Sequence, residues 1–373
     1  MVQQEYKARM RFVFIDESVP YDGYTSMRRP LGGPEKAVAS LAAALSQAQH
    51  DVTVVNRTPY AHMADGAYWV PLNDSAVPRT ADVLIAVRKP SLLGKIRNVG
   101  NRILWVMGAP GYLSASANEE LWDSLEPSLM FMSSAQAQGY KGNLTLVPVR
   151  PGVRNAYYET TIDTSDLSPE ELVYAERAMK QAVRDEAPKP HAIVTTHPLQ
   201  GLDWLVDIWG RLIHPRLPEA RLCIYSAVLS RGIRTDDVPE AIVPVFEKVK
   251  SAAEANVVVV DPRNDEGMAD VYRTSRVHLY PGHPQDFACW TLAESQAAGL
   301  PAVARRLGGV DERIVNGESG YVVPDAEAFA NVTLQILKDN NVFKSLSDAA
   351  GAPERRSTWP LAVNELTAFI SQL

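Results

Sequence analysis

Short apolar runs rich in β-branched residues alternate with helix-period segments from one end of this chain to the other. That alternation restricts the chain to α/β folds built on parallel sheets. In the first half the strand-like runs are Arg11–Ile15, Val52–Val55, Val83–Val87, Ile103–Val106, Leu129–Met132 and Leu144–Val149. Between the first two, Val38, Leu41, Ala42 and Leu45 recur at helical spacing within Glu35 to Ala48, which completes a βαβ unit. The second half repeats the pattern with Ala192–Thr195, Arg221–Tyr225, Val257–Val260, Val277–Tyr280, Ala302–Ala304 and Tyr321–Val323. Helical stretches such as Leu202–Leu212, Met268–Ser275 and Leu292–Ala298 separate them. A chain of 373 residues exceeds what one hydrophobic core usually serves, so two doubly wound domains facing a central cleft are expected.

The expected division is an N-terminal Rossmann-like domain over 1–165, a linker region over 166–190, and a second Rossmann-like domain over 191–352. A closing helix follows over 353–373. Ser168 with Glu171 three places on forms a capping-box pattern in the linker, and Pro188 and Pro190 end it. In the closing segment Leu361, Val363, Leu366, Phe369 and Ile370 supply one apolar face, which can pack back on the first domain.

Composition narrows the function. A net charge of −7 disfavours a broad electropositive face for nucleic acid. No run approaches the eighteen or so apolar residues of a membrane span, and Asp16 and Glu17 follow the first apolar run at once, so a soluble cytoplasmic protein is expected. The two cysteines, Cys223 and Cys289, sit among apolar neighbours and read as buried thiols.

The chemistry belongs at the carboxyl ends of the strands. Leu31-Gly32-Gly33-Pro34-Glu35 leads from a loop into a helix, where paired glycines and the positive helix end favour a close-approaching anion. The second candidate runs from Tyr280 through Pro281, Gly282, His283 and Gln285 to Asp286, then to Glu294 in the following helix. Asp286 and Glu294 are separated by seven residues. A carboxylate at a helix start can accept sugar hydroxyls, and one two turns further on can chelate the vicinal hydroxyls of a ribose. The amides of Phe287, Ala288 and Cys289 at that helix start can hold a diphosphate. Taken alone, such a pair is also what a helix cap and a solvated helix residue look like.

The stretch from Tyr280 through Gly299, Pro301 and Val303 to Gly308-Gly309, Asn316-Gly317 and Gly320-Tyr321-Val322-Val323 closely resembles the signature region of retaining GT-B glycosyltransferases of family four. Gly32-Gly33 with its helix, and Gln49-His50-Asp51-Val52-Thr53-Val54, resemble the same family's N-terminal signature. The resemblance implies carbohydrate biosynthesis by transfer of a sugar from a nucleoside diphosphate sugar, with retention, without a bound cofactor or required metal. The acceptor is a sugar, a lipid-linked compound or a small molecule. It implies that Glu294 holds the ribose, that Asp286 faces the donor sugar where the family has Glu, and that Gly33 borders the diphosphate and the acceptor. The string also aligns with Gln285 at the sugar-facing place.

The family's diphosphate-binding Arg and Lys fall at Thr195 and Gln200. Each charge-assisted hydrogen bond is worth about 1.5–3 kcal/mol, so other cations must compensate or activity is low. Arg231 and Arg234, Arg88 and Lys89, and Arg150 are the candidates by position. The family's histidine in the first domain has no counterpart at Leu104–Pro110. The alternative reading is a catalytically weak or inactive GT-B subunit that accompanies an active transferase. A sugar-nucleotide epimerase shares the fold, but its extra carboxylates are not identifiable here.

Overall fold

The computed structural model describes residues 9–158 and 187–373. The described residues form two compact units: 9–152 with 357–373, and 153–158 with 187–356. The capping box at Ser168 and Glu171, and most of the expected linker, lie outside the described residues.

The first unit is organised around β1 (Arg11–Ile15), which pairs in parallel with β2 (Asp51–Asn56) on one side and β5 (Thr80–Val87) on the other. With β3 (His62–Ala64), β4 (Ala67–Pro71), β6 (Asn98–Trp105), β7 (Ser128–Met130) and β8 (Leu146–Val147), the sheet order is β3-β4-β2-β1-β5-β6-β7-β8. Phe12, Phe14, Val54, Leu84 and Ile103 are fully buried because parallel strands in this arrangement are covered on both faces. Helix α1 (Gly33–Gln47) lays Val38, Leu41, Ala42 and Leu45 into that core. The final helix, α8 (Trp359–Ile370), packs on α1 through a face that includes Val363 and Leu366; its numbering follows the helices introduced next.

The second unit carries β9 (His191–Val194), β10 (Arg221–Tyr225), β11 (Val257–Val260), β12 (Val277–Tyr280), β13 (Ala302–Arg305) and β14 (Gly320–Val323). All are parallel, in the order β11-β10-β9-β12-β13-β14. Between them come α2 (Leu202–Ile208), α3 (Ala227–Thr235), α4 (Asp265–Thr274) and α5 (Trp290–Ala297), and α6 (Ala326–Lys338) and α7 (Asn340–Ala350) follow β14. Ala192, Val194, Leu222, Leu279 and Val303 pack with Leu202, Leu205, Phe329 and Leu334. Ile193 packs in a separate cluster with Met268, Tyr272 and Ala293, as the alternation of strand side chains requires. Among the described residues no helix is long and apolar enough to cross a membrane.

Candidate functional site

In each sheet the chain first winds to one side and then returns to the other side of its starting strand. This creates a switch point, where a crevice opens beyond the carboxyl ends. In the second unit it falls between β9 and β12. The loops following β9, β12 and β13 converge there. Gly201, at φ +86°, sits so close that an added Cβ would lie 3.1 Å from Pro281 Cβ and 2.8 Å from Arg305 Nη2. The Gly309 amide donates to Asp286 O at 2.9 Å, which ties the third loop to the second. Gly308, at φ +63°, leaves no room for a Cβ against the Asp286 carbonyl.

Asp286 stands where the second loop turns into α5. It accepts from the buried Tyr280 hydroxyl through Oδ2 and from the Cys289 amide at 3.0 Å through Oδ1. Burial, with the Asp286 charge contributing, raises the Tyr280 hydroxyl well above its usual range, so it stays a donor. Burial also pushes the Cys289 thiol up to about 12, which leaves it protonated and inert. Cys289 itself adopts a left-handed backbone, φ 45°, immediately before the helix. Among the described residues the amides of Phe287 and Ala288 make no hydrogen bond and remain available to an anion.

Thr195 belongs to a relay below the crevice. His278 is fully buried, and burial lowers its pKa to about 3, so the ring is neutral. Ser295 gives its hydroxyl hydrogen to Leu292 O and therefore accepts from His278 Nδ1, at 2.7 Å. His278 Nε2 is then the acceptor of the Thr195 hydroxyl at 3.0 Å. The Thr195 hydrogen is thus committed inside the protein. Its neighbour Thr196 is 6% exposed, and its hydroxyl has no partner among the described residues. Gln200 is half-buried in the same loop.

Glu294 lies on α5 and is 7% exposed. Its charge reaches Tyr157 and Tyr272, whose hydroxyls burial has already pushed far up. The Tyr157 hydroxyl donates to Asp265 at 2.9 Å, and Arg154 pairs with the same carboxylate at 3.2 Å. Glu294 and Asp265 are therefore the acidic members of a buried polar group, and α5, which starts four residues after Asp286, positions Glu294.

The first unit's switch point, between β1 and β5, is built differently. Arg88, in a left-handed backbone (φ 68°), follows β5. It binds Asp16 at 2.9 and 3.1 Å and also pairs with Glu35. Asp16, 1% exposed, also accepts from Tyr21 and Ser18. The Glu35 carboxylate folds against Gly32, the residue preceding α1, and Gly33 is the first residue of that helix. The anion at this helix start is therefore the protein's own carboxylate. The other expected cations are likewise engaged: Lys89 with Glu17, Arg150 with Glu365, Arg234 with Asp261 and Arg231, at 3.9 Å, with Asp237. Arg231 and Arg234 lie on α3, exposed, beyond β10.

Residues 192–339 match the family model for glycosyl transferases group 1. That match lies within the second unit, while across nearly the whole chain the fold is the GT-B fold of solved glycosyltransferases. A D-inositol 3-phosphate glycosyltransferase of Kribbella flavida is 27% identical over 210 residues, 56% of this chain and 48% of that protein. One from Corynebacterium diphtheriae is 32% identical over 109 residues, 29% and 25% of the two chains. The chain thus matches half or less of the length of these curated relatives. The fold extends further: sucrose-phosphate synthase from Thermosynechococcus elongatus superposes with a TM-score of 0.67 at 16% identity, covering 98% of this chain and 99% of that one. Anabaena HepE, solved in complex with UDP-glucose, gives 0.68 at 15%, covering 98% and 100%. Of the D-x7-E pair found in the sequence, Asp286 lies in the loop four residues ahead of α5, where it accepts from the Cys289 amide, and Glu294 is a buried carboxylate on the helix itself. Sequence reasoning passed over Arg305 and Thr196, which the structure brings to the same crevice.

Proposed function

We propose that this chain is a retaining glycosyltransferase that takes a nucleoside diphosphate sugar into the second unit's crevice. One observation carries the reading. Asp286, the unbonded amides of Phe287 and Ala288, and the half-buried guanidinium of Arg305 come together where three glycine-bearing loops meet at a switch point. Such a site offers hydrogen-bond acceptors to a sugar and donors to a diphosphate. Glu294 is the proposed ribose carboxylate, and Asp286, held by Tyr280, the one that faces the sugar.

The leaving diphosphate oxygen then takes the acceptor hydroxyl's proton as the new glycosidic bond forms on the face the donor bond leaves. HepE, solved with UDP-glucose, makes uridine the first base to test, and the curated relatives make a phosphorylated inositol the first acceptor. Incubating the full chain with radiolabelled UDP-glucose, UDP-N-acetylglucosamine, GDP-mannose and ADP-glucose, with and without D-inositol 3-phosphate, should release nucleoside diphosphate from one donor. Silence with every donor from a folded protein that still binds nucleotide would favour an accessory role. Silence with no nucleotide binding would overturn the reading.

A further inference from the structure

Arg305 ends β13 at the carboxyl edge of the sheet. Its Nε donates to Pro281 O and its Nη2 to Gly282 O at 3.2 Å, and the guanidinium lies 4.3 Å from the centre of the Trp204 ring. A guanidinium carries five N–H donors, so these two carbonyls leave others unused and cancel none of its charge. Among the described residues no carboxylate pairs with it, and Asp203 attracts it only at longer range. Burial disfavours its charged form, so the charge is held where an anion would be welcome.

Other arginines of this unit that bind carbonyls have a structural task. Arg276 bonds to Ile336 O near the end of α6 and to Pro188 O, and Arg355 bonds to Arg313 O and Gln296. Arg305 instead touches two of the three loops at the switch point and is fixed there by stacking on Trp204. Gly201 leaves space beside Nη2 that any side chain would invade. Thr196, directly after β9, adds the independent sign of a ligand: a hydroxyl buried to more than nine-tenths and without a partner among the described residues.

We propose that Arg305 grips the diphosphate of the donor, replacing from strand β13 the two cations absent at Thr195 and Gln200, with the Thr196 hydroxyl as a second donor. The proposal rests on the nucleotide-sugar reading and goes beyond it by moving the charge to another strand. Calorimetry on the full chain with UDP, GDP and ADP first identifies the diphosphate that binds. That compound and its parent nucleoside, at millimolar concentration, are then titrated into Arg305→Gln and Arg305→Lys. Arg305→Gln should weaken the diphosphate about 10- to 100-fold while leaving the nucleoside unchanged, and Arg305→Lys should recover part of the loss. Thr196→Val should weaken the diphosphate about 3- to 10-fold. Unchanged diphosphate affinity in Arg305→Gln overturns the assignment and leaves the nucleotide-sugar reading standing. An equal loss for nucleoside and diphosphate overturns it too, because it marks a purely structural arginine. A wild-type chain that binds none of the three diphosphates overturns the underlying reading instead.

Discussion

The two units share a winding pattern but furnish their switch points in opposite ways. In the first, Arg88 is saturated by Asp16 and Glu35, and the helix start behind Gly32 is occupied by the chain's own carboxylate. In the second, the floor is a neutral relay through Thr195, His278 and Ser295, and among the described residues the hydrogen bonds of Arg305 go only to carbonyls. One crevice has satisfied its charges internally, whereas in the other a cation and two amides have no anionic partner among the described residues. An arginine's position at a strand end therefore does not reveal its role; its partners do.

The largest effect should come from breaking the first arrangement. Replacing Arg88 by Ala leaves the nearly inaccessible Asp16 carboxylate, and Glu35 beside it, without their cation. Removing one partner of such a pair typically costs ~3 kcal/mol or more. The left-handed backbone at Arg88 also loses the contacts that hold it. Urea unfolding should show the first unit destabilised by about 3 kcal/mol. Arg305→Gln, by contrast, should shift stability by under about 1 kcal/mol, since no buried carboxylate is stranded. If the two substitutions cost the same, the contrast between a structural and a ligand-seeking arginine is lost.

Acidification should separate the units next. His278 is neutral in the folded protein, with its pKa lowered from 6.5 to about 3, whereas the unfolded chain takes up a proton near 6.5. The relay's contribution is therefore complete above pH 6.5 and falls with pH from there down to about 3. The slope is about 1.4 kcal/mol per unit, so at pH 5 roughly 2 kcal/mol is lost from the second unit. Denaturant midpoints at pH 5 and 7 should converge in His278→Gln, which cannot titrate, apart from the carboxylate background common to both proteins. An equal pH slope in wild type and variant would show that the ring is not the buried neutral link described here.

Much of this organisation was legible in the sequence because parallel strands covered on both faces read as unbroken apolar runs. Arg11–Ile15, Arg221–Tyr225, Val257–Val260 and Val277–Tyr280 coincide with the observed strands to the residue. The hairpin of β3 and β4 was missed, although Asp65-Gly66, at φ 49° and 80°, is a two-residue turn signal. At the site, Asp286 and Glu294 could be read together because both lie in one continuous stretch, the loop after β12 and the helix it enters. Arg305 could not, because it reaches the crevice through the adjacency of β12 and β13 and the absence of a side chain at Gly201, which no local spacing encodes. The cations chosen by position after other strands proved to have carboxylates of their own.

The smallest effect sharpens the comparison from the other side. Arg231 and Arg234 follow β10, one strand away from the switch point, and were the sequence's first substitutes for the missing diphosphate cations. Arg234 pairs with Asp261 at 2.6 Å with both side chains more than half exposed, and Arg231 reaches Asp237 only at 3.9 Å. Exposed pairs of this kind contribute about 0–1 kcal/mol and are screened by salt. Arg231→Ala and Arg234→Ala should therefore shift stability by about 0.5 kcal/mol or less and change diphosphate affinity less than about twofold. A tenfold loss of affinity in either would move the diphosphate toward α3 and leave the cation on β13 without the role its isolation suggests.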